Sequence, residues 1–475
     1  MSRPVAFALS CCAALIPPAA GATDSSTDST FAPGSSTPGW VRSFVTGGGF
    51  ADERIVAAAR APDGGYVLAG SRAGGAQGAL IFLAKFKANG SYDTAFGGTA
   101  ATGNAGIGRV LKDAWLSSVA DMTVDAQGRI VVVGNTPGAL GQSDFGIVRF
   151  KPDGSDDTSF AGDGGTSVAF DLDTAHGRAN DVPGSVTTTP DGSIFVAGTI
   201  ETNTTGAAKR WVGAVKLKPD GSRDQTFGAL SGGREYYNWS SGDNVLSVVR
   251  IVYDAPRATI AIGGDLEVGA NNTDWFIITH QIWSINSKAA SYAIDLGGNS
   301  GYQLAYMTDL AVQPDGKPVA VGWANDANVK ATPVLLRRLA LSTNEDTTSF
   351  GNIAGRGMAV LWSWTDSVLN GLAFDSRGRI LVAGEYAPFK AGIAARLGSD
   401  GAIDASFNGT TSPSAYFAKT SSLQSSWTTS FKRVFIDAGR AVLAGEAPDS
   451  NTAATDYDLV MTRLQSDLIF ANGYE

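Results

Sequence analysis

Thiols and imidazoles are nearly missing. The chain holds two cysteines, Cys11 and Cys12, side by side near the start, and two histidines, His176 and His280. No disulfide framework can be built from so few, and a His/Cys transition-metal site is excluded. Charge is scarce as well, at 17% of residues where about 25% is usual. No Lys/Arg cluster occurs and the formal net charge is −9, which argues against nucleic acid and anionic membranes as partners. No apolar run of transmembrane length lies beyond the N-terminus, so no transmembrane helix is expected. The G-x-S-x-G elbow, the H-E-x-x-H pair and the Walker loop are all absent from the sequence.

What is present is glycine, 59 of 475 residues, together with Val, Ile, Phe and Thr. That mixture suits many short strands joined by tight turns. The first 22 residues read as a secretory signal: Arg3, an apolar core from Val5 to Ile16, and an A-x-A site at Ala20-Gly21-Ala22. Both cysteines lie inside it, so the mature chain is expected to have no thiol. Export to the periplasm, the cell surface or the medium follows from that reading. Residues 23–39 are rich in Ser, Thr, Pro and Gly and are expected to be a disordered linker.

From Trp40 one unit recurs. Its clearest mark is a β-branched run ending in glycine: PDGGYVLAG at Gly70, DAQGRIVVVG at Gly134, PDGSIFVAG at Gly198, APRATIAIGG at Gly264, PDGKPVAVG at Gly322, DSRGRILVAG at Gly384 and DAGRAVLAG at Gly445. The steps between these glycines are 64, 64, 66, 58, 62 and 61 residues. A period near 60 with about four short strands per unit describes a propeller blade. The expectation is an all-β, seven-bladed β-propeller over residues 40–465, with 466–475 as a tail. A solenoid is the rival, but seven antiparallel units favour a closed ring without long exposed edges. In blade 2 the four strands, A to D from the axis outward, are expected at Val119–Val124, Arg129–Val133, Phe145–Phe150 and Thr166–Asp171. The end of blade 7 is too short for its own fourth strand. Residues 40–46 are therefore expected to pair with 457–464 and close the ring.

The units PDGSIFVAG, IVRFKPDGSDDTSF and AARLGSDGAIDASFNG resemble the delta-60 repeat, a bacterial family. The resemblance covers residues 40 to about 465 and implies a secreted or surface-associated propeller. It brings no catalytic residues with it. Blade 4 departs most, lacking both Asp-Gly turns, and blade 7 lacks the D-x-x-F half of the unit.

Periodicity also sorts the charged residues. A basic residue recurs near the end of the third strand: Lys85, Arg149, Lys216, Arg338, Arg396 and Arg463. In five units an aspartate follows eight residues on: Asp93, Asp157, Asp224, Asp346 and Asp404. A pair repeated blade after blade reads as scaffold, and so do Phe96, Phe160, Phe227, Phe350 and Phe407. His280 falls in the basic slot of blade 4 and reads as a substituted scaffold position. His176 alone stays unexplained.

Short regular A–B and C–D turns should occupy one face of the disc, and the uneven B–C and D–A loops the other. Function is expected on that variable face. Trp115, Trp239, Trp364 and Trp427, with Tyr237 and His176, are its candidate ligand contacts. The tryptophans equally suit gaps between blades. Asp121, Asp181 and Asp309, near the starts of innermost strands, could ring the channel mouth and hold Ca²⁺, the one cofactor considered; they equally suit strand caps and water. The leading expectation is an exported, monomeric, non-catalytic propeller that binds a glycan or a surface protein. A secreted hydrolase or lyase acting on polysaccharide, using channel-mouth carboxylates, stands beside it.

Overall fold

The computed structural model describes residues 27–35, 38–43, 53–72, 80–97, 109–112, 116–138, 141–172, 179–202, 209–230, 232–238, 244–269, 272–282, 290–294, 304–325, 330–361, 366–386, 391–404, 407, 429–448 and 457–465. Seven antiparallel sheets are arranged as the blades of a ring, six of four strands and one, blade 6, of three among the described residues. Within six of the sheets the strands follow chain order from the axis outward. Blade 2 runs Asp121–Val124, Ile130–Pro137, Ser143–Phe150 and Gly165–Val168. The second strands, Ile130–Val133 and Ile194–Ala197 among them, are wholly buried because both faces of the sheet meet a neighbouring blade. This is why they read as continuous apolar runs rather than as alternating ones.

Blade 7 is assembled from both ends of the chain. Ser430–Asp437, Arg440–Pro448 and Tyr457–Arg463 provide three strands and Trp40–Ser43 the fourth, with Trp40 opposite Thr462 and Ser43 opposite Leu459. The expected closure is thus observed. On its other side blade 7 meets blade 1: Arg60 lies 2.7 Å from Asp437, and the Tyr66 hydroxyl donates to the same carboxylate at 2.8 Å.

The repeat glycine has a steric cause. A Cβ at Gly134, Gly198, Gly322, Gly384 or Gly445 would stand 1.7–2.2 Å from a carbonyl oxygen in or, for Gly134, just before its blade's innermost strand. At this level the innermost strands carry a β-bulge, at Val56, Gly184, Val249, Thr308, Asn370 and Lys432. The bulge presses the backbone of that strand against its neighbour, and only hydrogen fits between them.

The scaffold pair proves to be part of a clasp between blades. In blade 2, Arg149 Nε donates to Asp157 at 2.7 Å and the guanidinium lies 4.6 Å over the buried Phe160 ring. Its other arm donates to the Pro219 carbonyl of blade 3. The Ala161 amide then donates to the Asp220 carbonyl at 2.8 Å, and Phe160 rests where a Cβ on Gly221 would stand. Blade 5 repeats this with Arg337, Asp346 and Phe350 seated on Gly401 of blade 6. Arg337 holds this place, rather than the expected Arg338. The turn that follows closes from the Leu339 amide to Asn344, one residue longer than Lys151 to Ser155 in blade 2, which shifts the count. Arg338 instead donates to the Ile277 carbonyl of blade 4 at 2.6 Å.

Part of the stretch expected to be a disordered linker completes the same clasp. Asp28 accepts from Arg463 Nε at 2.8 Å, and Phe31 is fully buried with Arg463 5.0 Å over its ring. The Ala32 amide reaches the Asn89 carbonyl of blade 1 at 2.6 Å. Asp28-Ser-Thr-Phe31 is therefore the D-x-x-F half that blade 7 lacks. Phe31→Ala is expected to destabilise the fold by about 3–5 kcal/mol, as Phe160→Ala would. Lys151→Ala, on an exposed turn, should stay within about 0.5 kcal/mol. Thermal melts of the three variants check this; a silent Phe31→Ala would show that the N-terminal segment is not part of the ring.

Candidate functional site: the axial ring and the variable face

One residue per blade, just past the bulge in six of them and at the first strand residue in blade 2, stands at the same level around the axis. These are Ala57, Asp121, Ser185, Arg250, Asp309, Gly371 and Arg433. Each pairs with the residue before the close-approach glycine of its second strand, Gly263 taking that place in blade 4. Two aspartates and two arginines therefore share a ring with three small residues. Arg250 joins the aspartates: its Nε donates to Asp309 Oδ1 at 2.7 Å and its Nη1 to Asp121 Oδ2 at 3.0 Å. Asp121 Oδ2 also accepts from the Ser185 hydroxyl at 2.6 Å and the Val186 amide at 3.2 Å. Asp309 takes the Leu310 and Leu372 amides at 3.0 and 3.1 Å. Burial works against the charge on Arg250, but Asp309 and Asp121 outweigh it and raise its pKa. Arg433 is pulled down to about 10, first by burial and then by Arg250, with the two aspartates opposing.

The third acid expected with Asp121 and Asp309 stands elsewhere. Asp181 lies at the seam of blades 2 and 3, fully buried, with Oδ2 accepting the Phe170 amide at 2.7 Å and Oδ1 lacking a partner among the described residues. Burial raises its pKa to about 7, and Asp144 and Asp171 add to the rise against the amide. Burial and Asp171 raise Asp144 too. Asp265 is another buried acid, raised to about 7 by burial against its bonds from Ser247 and the Met307 amide. Among the described residues no three His, Cys, Asp or Glu side chains are grouped to hold a metal ion. The Ca²⁺ expectation thus finds its three acids apart, two of them spanned by a guanidinium. Asn370, in the bulge of blade 6, donates to the Phe431 carbonyl at 3.0 Å and so ties blade 6 to blade 7.

Trp115, Trp239, Trp364, Trp427 and His176 fall outside the described residues. Tyr237 turns inward, where its hydroxyl is 2.8 Å from His280 Nδ1. Burial lowers the pKa of that histidine, which sits in the scaffold phase opposite Ile260. Neighbouring residues of a strand face opposite ways, so Tyr236 packs on the other side, against the core between blades 2 and 3. It is half-buried and stacks on half-buried Trp211, with ring centres 5.2 Å apart and planes 17° apart. A second pair, Tyr306 and Trp323, lies across adjacent strands of blade 5 at 4.9 Å, both rings again half-buried. Both pairs sit at strand ends that lead into the variable face. Trp211 and Trp323 break the apolar pattern of their strands, but the sequence alone does not say which side of the sheet they cover.

A cavity of about 900 Å³ opens on the other face, between the Thr347–Arg356 loop and the Asp400–Ile403 turn. Its one basic side chain, Arg356, is bonded to both oxygens of Glu345, and Asp400 caps the Ala402 amide of its own turn. The polar groups there are already used by the scaffold.

A family model described as a domain of unknown function (DUF5122) beta-propeller matches residues 127–160, 189–227 and 378–407. The match and the seven-bladed ring together place the chain among β-propeller proteins. No curated protein matches the chain. Similar solved structures include a protein of unknown function from Dyadobacter fermentans, at 11% identity over 73% of this chain and 93% of that one, with a TM-score of 0.41. The polysaccharide lyase Uly1 is 13% identical over 85% and 88%, with a TM-score of 0.43. A neuraminidase-like protein of influenza A/flat-faced bat/Peru is 10% identical over 94% and 98%, with a TM-score of 0.41. Likenesses this remote carry no argument about activity.

Two outcomes follow from the buried charges. An unfolded chain releases the Asp181 proton near pH 4, whereas the folded one holds it to about 7. Stability therefore falls as pH rises through that window and levels off above it. Asp181→Asn keeps the acceptor for Phe170, so it should gain on the order of 3 kcal/mol over wild type at pH 8 and nothing at pH 4. Melts at the two pH values check it, and a pH-independent difference would refute the shift. Arg250→Met should cost about 3–5 kcal/mol in denaturant titration, since two buried carboxylates lose their counter-charge.

Proposed function

We propose that the chain is an exported, non-catalytic β-propeller that binds a glycan through its variable face. The observation that carries this reading is the stacked Trp211–Tyr236 pair, half-buried at a strand end beside that face. Flat rings partly open to water match the apolar faces of sugar rings, and two χ angles cost little entropy to fix. Tyr306 and Trp323 supply a second such surface nearer the axis. The catalytic reading has less support. Hydrolysis of a glycosidic bond needs one acid that can donate a proton and a second that faces the same bond. Asp121 and Asp309 are both bonded to Arg250, and the acids with raised pKa, Asp144, Asp181 and Asp265, are buried. Export rests on the signal-like residues 1–22.

Trp211→Ala and Trp323→Ala are expected to weaken binding on a glycan array by about tenfold each, with melting within a few degrees of wild type. Array binding unchanged in the double variant would refute the aromatic surface. Turnover of a polysaccharide by the wild-type chain would refute the non-catalytic reading.

A further inference from the structure

Arg433 is a charged member of the axial ring whose hydrogen bonds are incomplete. Its Nη1 donates to the carbonyl of its own neighbour Lys432 at 2.9 Å, and its Nη2 to the Val56 carbonyl at 3.3 Å. Among the described residues its Nε–H has no acceptor. The nearest carboxylate oxygen, Asp121 Oδ1, is 3.9 Å from Nη2, beyond hydrogen-bond reach. Asp121 is held through Oδ2 by Arg250, Ser185 and the Val186 amide, while its Oδ1 has no hydrogen-bond partner among the described residues. Around the ring the charges thus alternate as Asp309, Arg250, Asp121 and Arg433, and the series ends on a cation.

That end is open. The ring neighbours of Arg433 are Gly371 and Ala57, which fill almost none of the space beside it. Its side chain keeps 18% of its surface exposed, against 14% for Arg250 and 2% for Asp121. An arginine with one free edge offers parallel N–H donors that match the two oxygens of a carboxylate. With Asp121 and Asp309 close by, the ring accommodates one added negative charge and opposes two.

We propose that Arg433 forms a carboxylate-binding site in the axial channel and that the bound glycan carries an acidic sugar, one uronate group lying against the free guanidinium edge. This inference rests on the glycan reading above. The low-dielectric surroundings that hold the Arg433 pKa near 10 leave it protonated at neutral pH, and a bound carboxylate offsets its exposure to the charge of Arg250.

The test is calorimetric titration of the full chain with glucuronate, glucose and phosphate at fixed ionic strength, with acetate followed by NMR line broadening. Glucuronate should bind about tenfold more tightly than glucose, and phosphate no better than glucuronate. Arg433→Gln should abolish the preference and leave glucose binding as in wild type; Arg433→Lys, which keeps the charge without the fork, should recover only part of it. Melting curves identify any variant that fails to fold, and the lysine variant then decides. A preference that survives in Arg433→Gln overturns the proposal, as does tighter binding of phosphate. If neither sugar binds, the glycan reading fails by itself and acetate decides the site. Acetate broadening that disappears in Arg433→Gln supports a carboxylate site, and broadening absent or unchanged by the substitution overturns it.

Discussion

A guanidinium laid on a phenylalanine ring and tied to an aspartate holds one blade to the next. Burying an arginine is costly unless its charge is matched and its donors are used. Arg149 meets both conditions by dividing its bonds between Asp157 in its own blade and the Pro219 carbonyl in the following one. The cost of desolvation is then recovered only when two blades are in register. The clasp therefore works as a registry device as much as an attachment, and its repetition accounts for the regular face of the disc. Glycine completes it: the seat for Phe160 at Gly221 has a φ of 87° and no room for a methyl group.

The same economy of space governs the axis. Bulged innermost strands press on the close-approach glycines and turn one side chain per blade inward at a common level. Three of those seven are small, so Arg250 reaches across the channel to Asp121 and Asp309 rather than to neighbours in its own blade. Arg250 spans from blade 2 to blade 5 in this way. Acids bound to Arg250 in this way have little use in chemistry.

Much of this was legible in the chain itself. Seven phased glycines disclose the blade number, and the absence of a fourth strand after Tyr457–Arg463 discloses the closure by Trp40–Ser43. The clasp residues of blades 2 and 6 follow from spacing alone. Asp28 and Phe31 did not stand out because their Ser/Thr-rich surroundings have the composition of a linker, although the D-x-x-F spacing is intact. Arg338 was preferred to Arg337 because a turn one residue longer is invisible until its hydrogen bond is known. The axial ring was hidden for a related reason. A bulge shifts the side-chain alternation by one, so Arg250 and Arg433 fall into line with Asp121 and Asp309 only after strand register is assigned. Tyr236 and Tyr237 show the same limit, since adjacent tyrosines take opposite sides of one strand.

The last clasp differs from the others in where its halves come from. Asp28 and Arg463 are 435 residues apart, and every other blade is made between them. A chain synthesised or threaded across a membrane from its N-terminus presents Asp28 first and must wait for Arg463 last. Until then Phe31 has only the blade 1 part of its pocket, and Trp40–Ser43 has no strand to pair with. The disc is in effect a ring with its buckle at the two ends of the strap. The whole intervening chain must fold before that buckle can fasten, which makes the closing of blade 7 the step most exposed to rescue, or to trapping, by another copy's N-terminal segment.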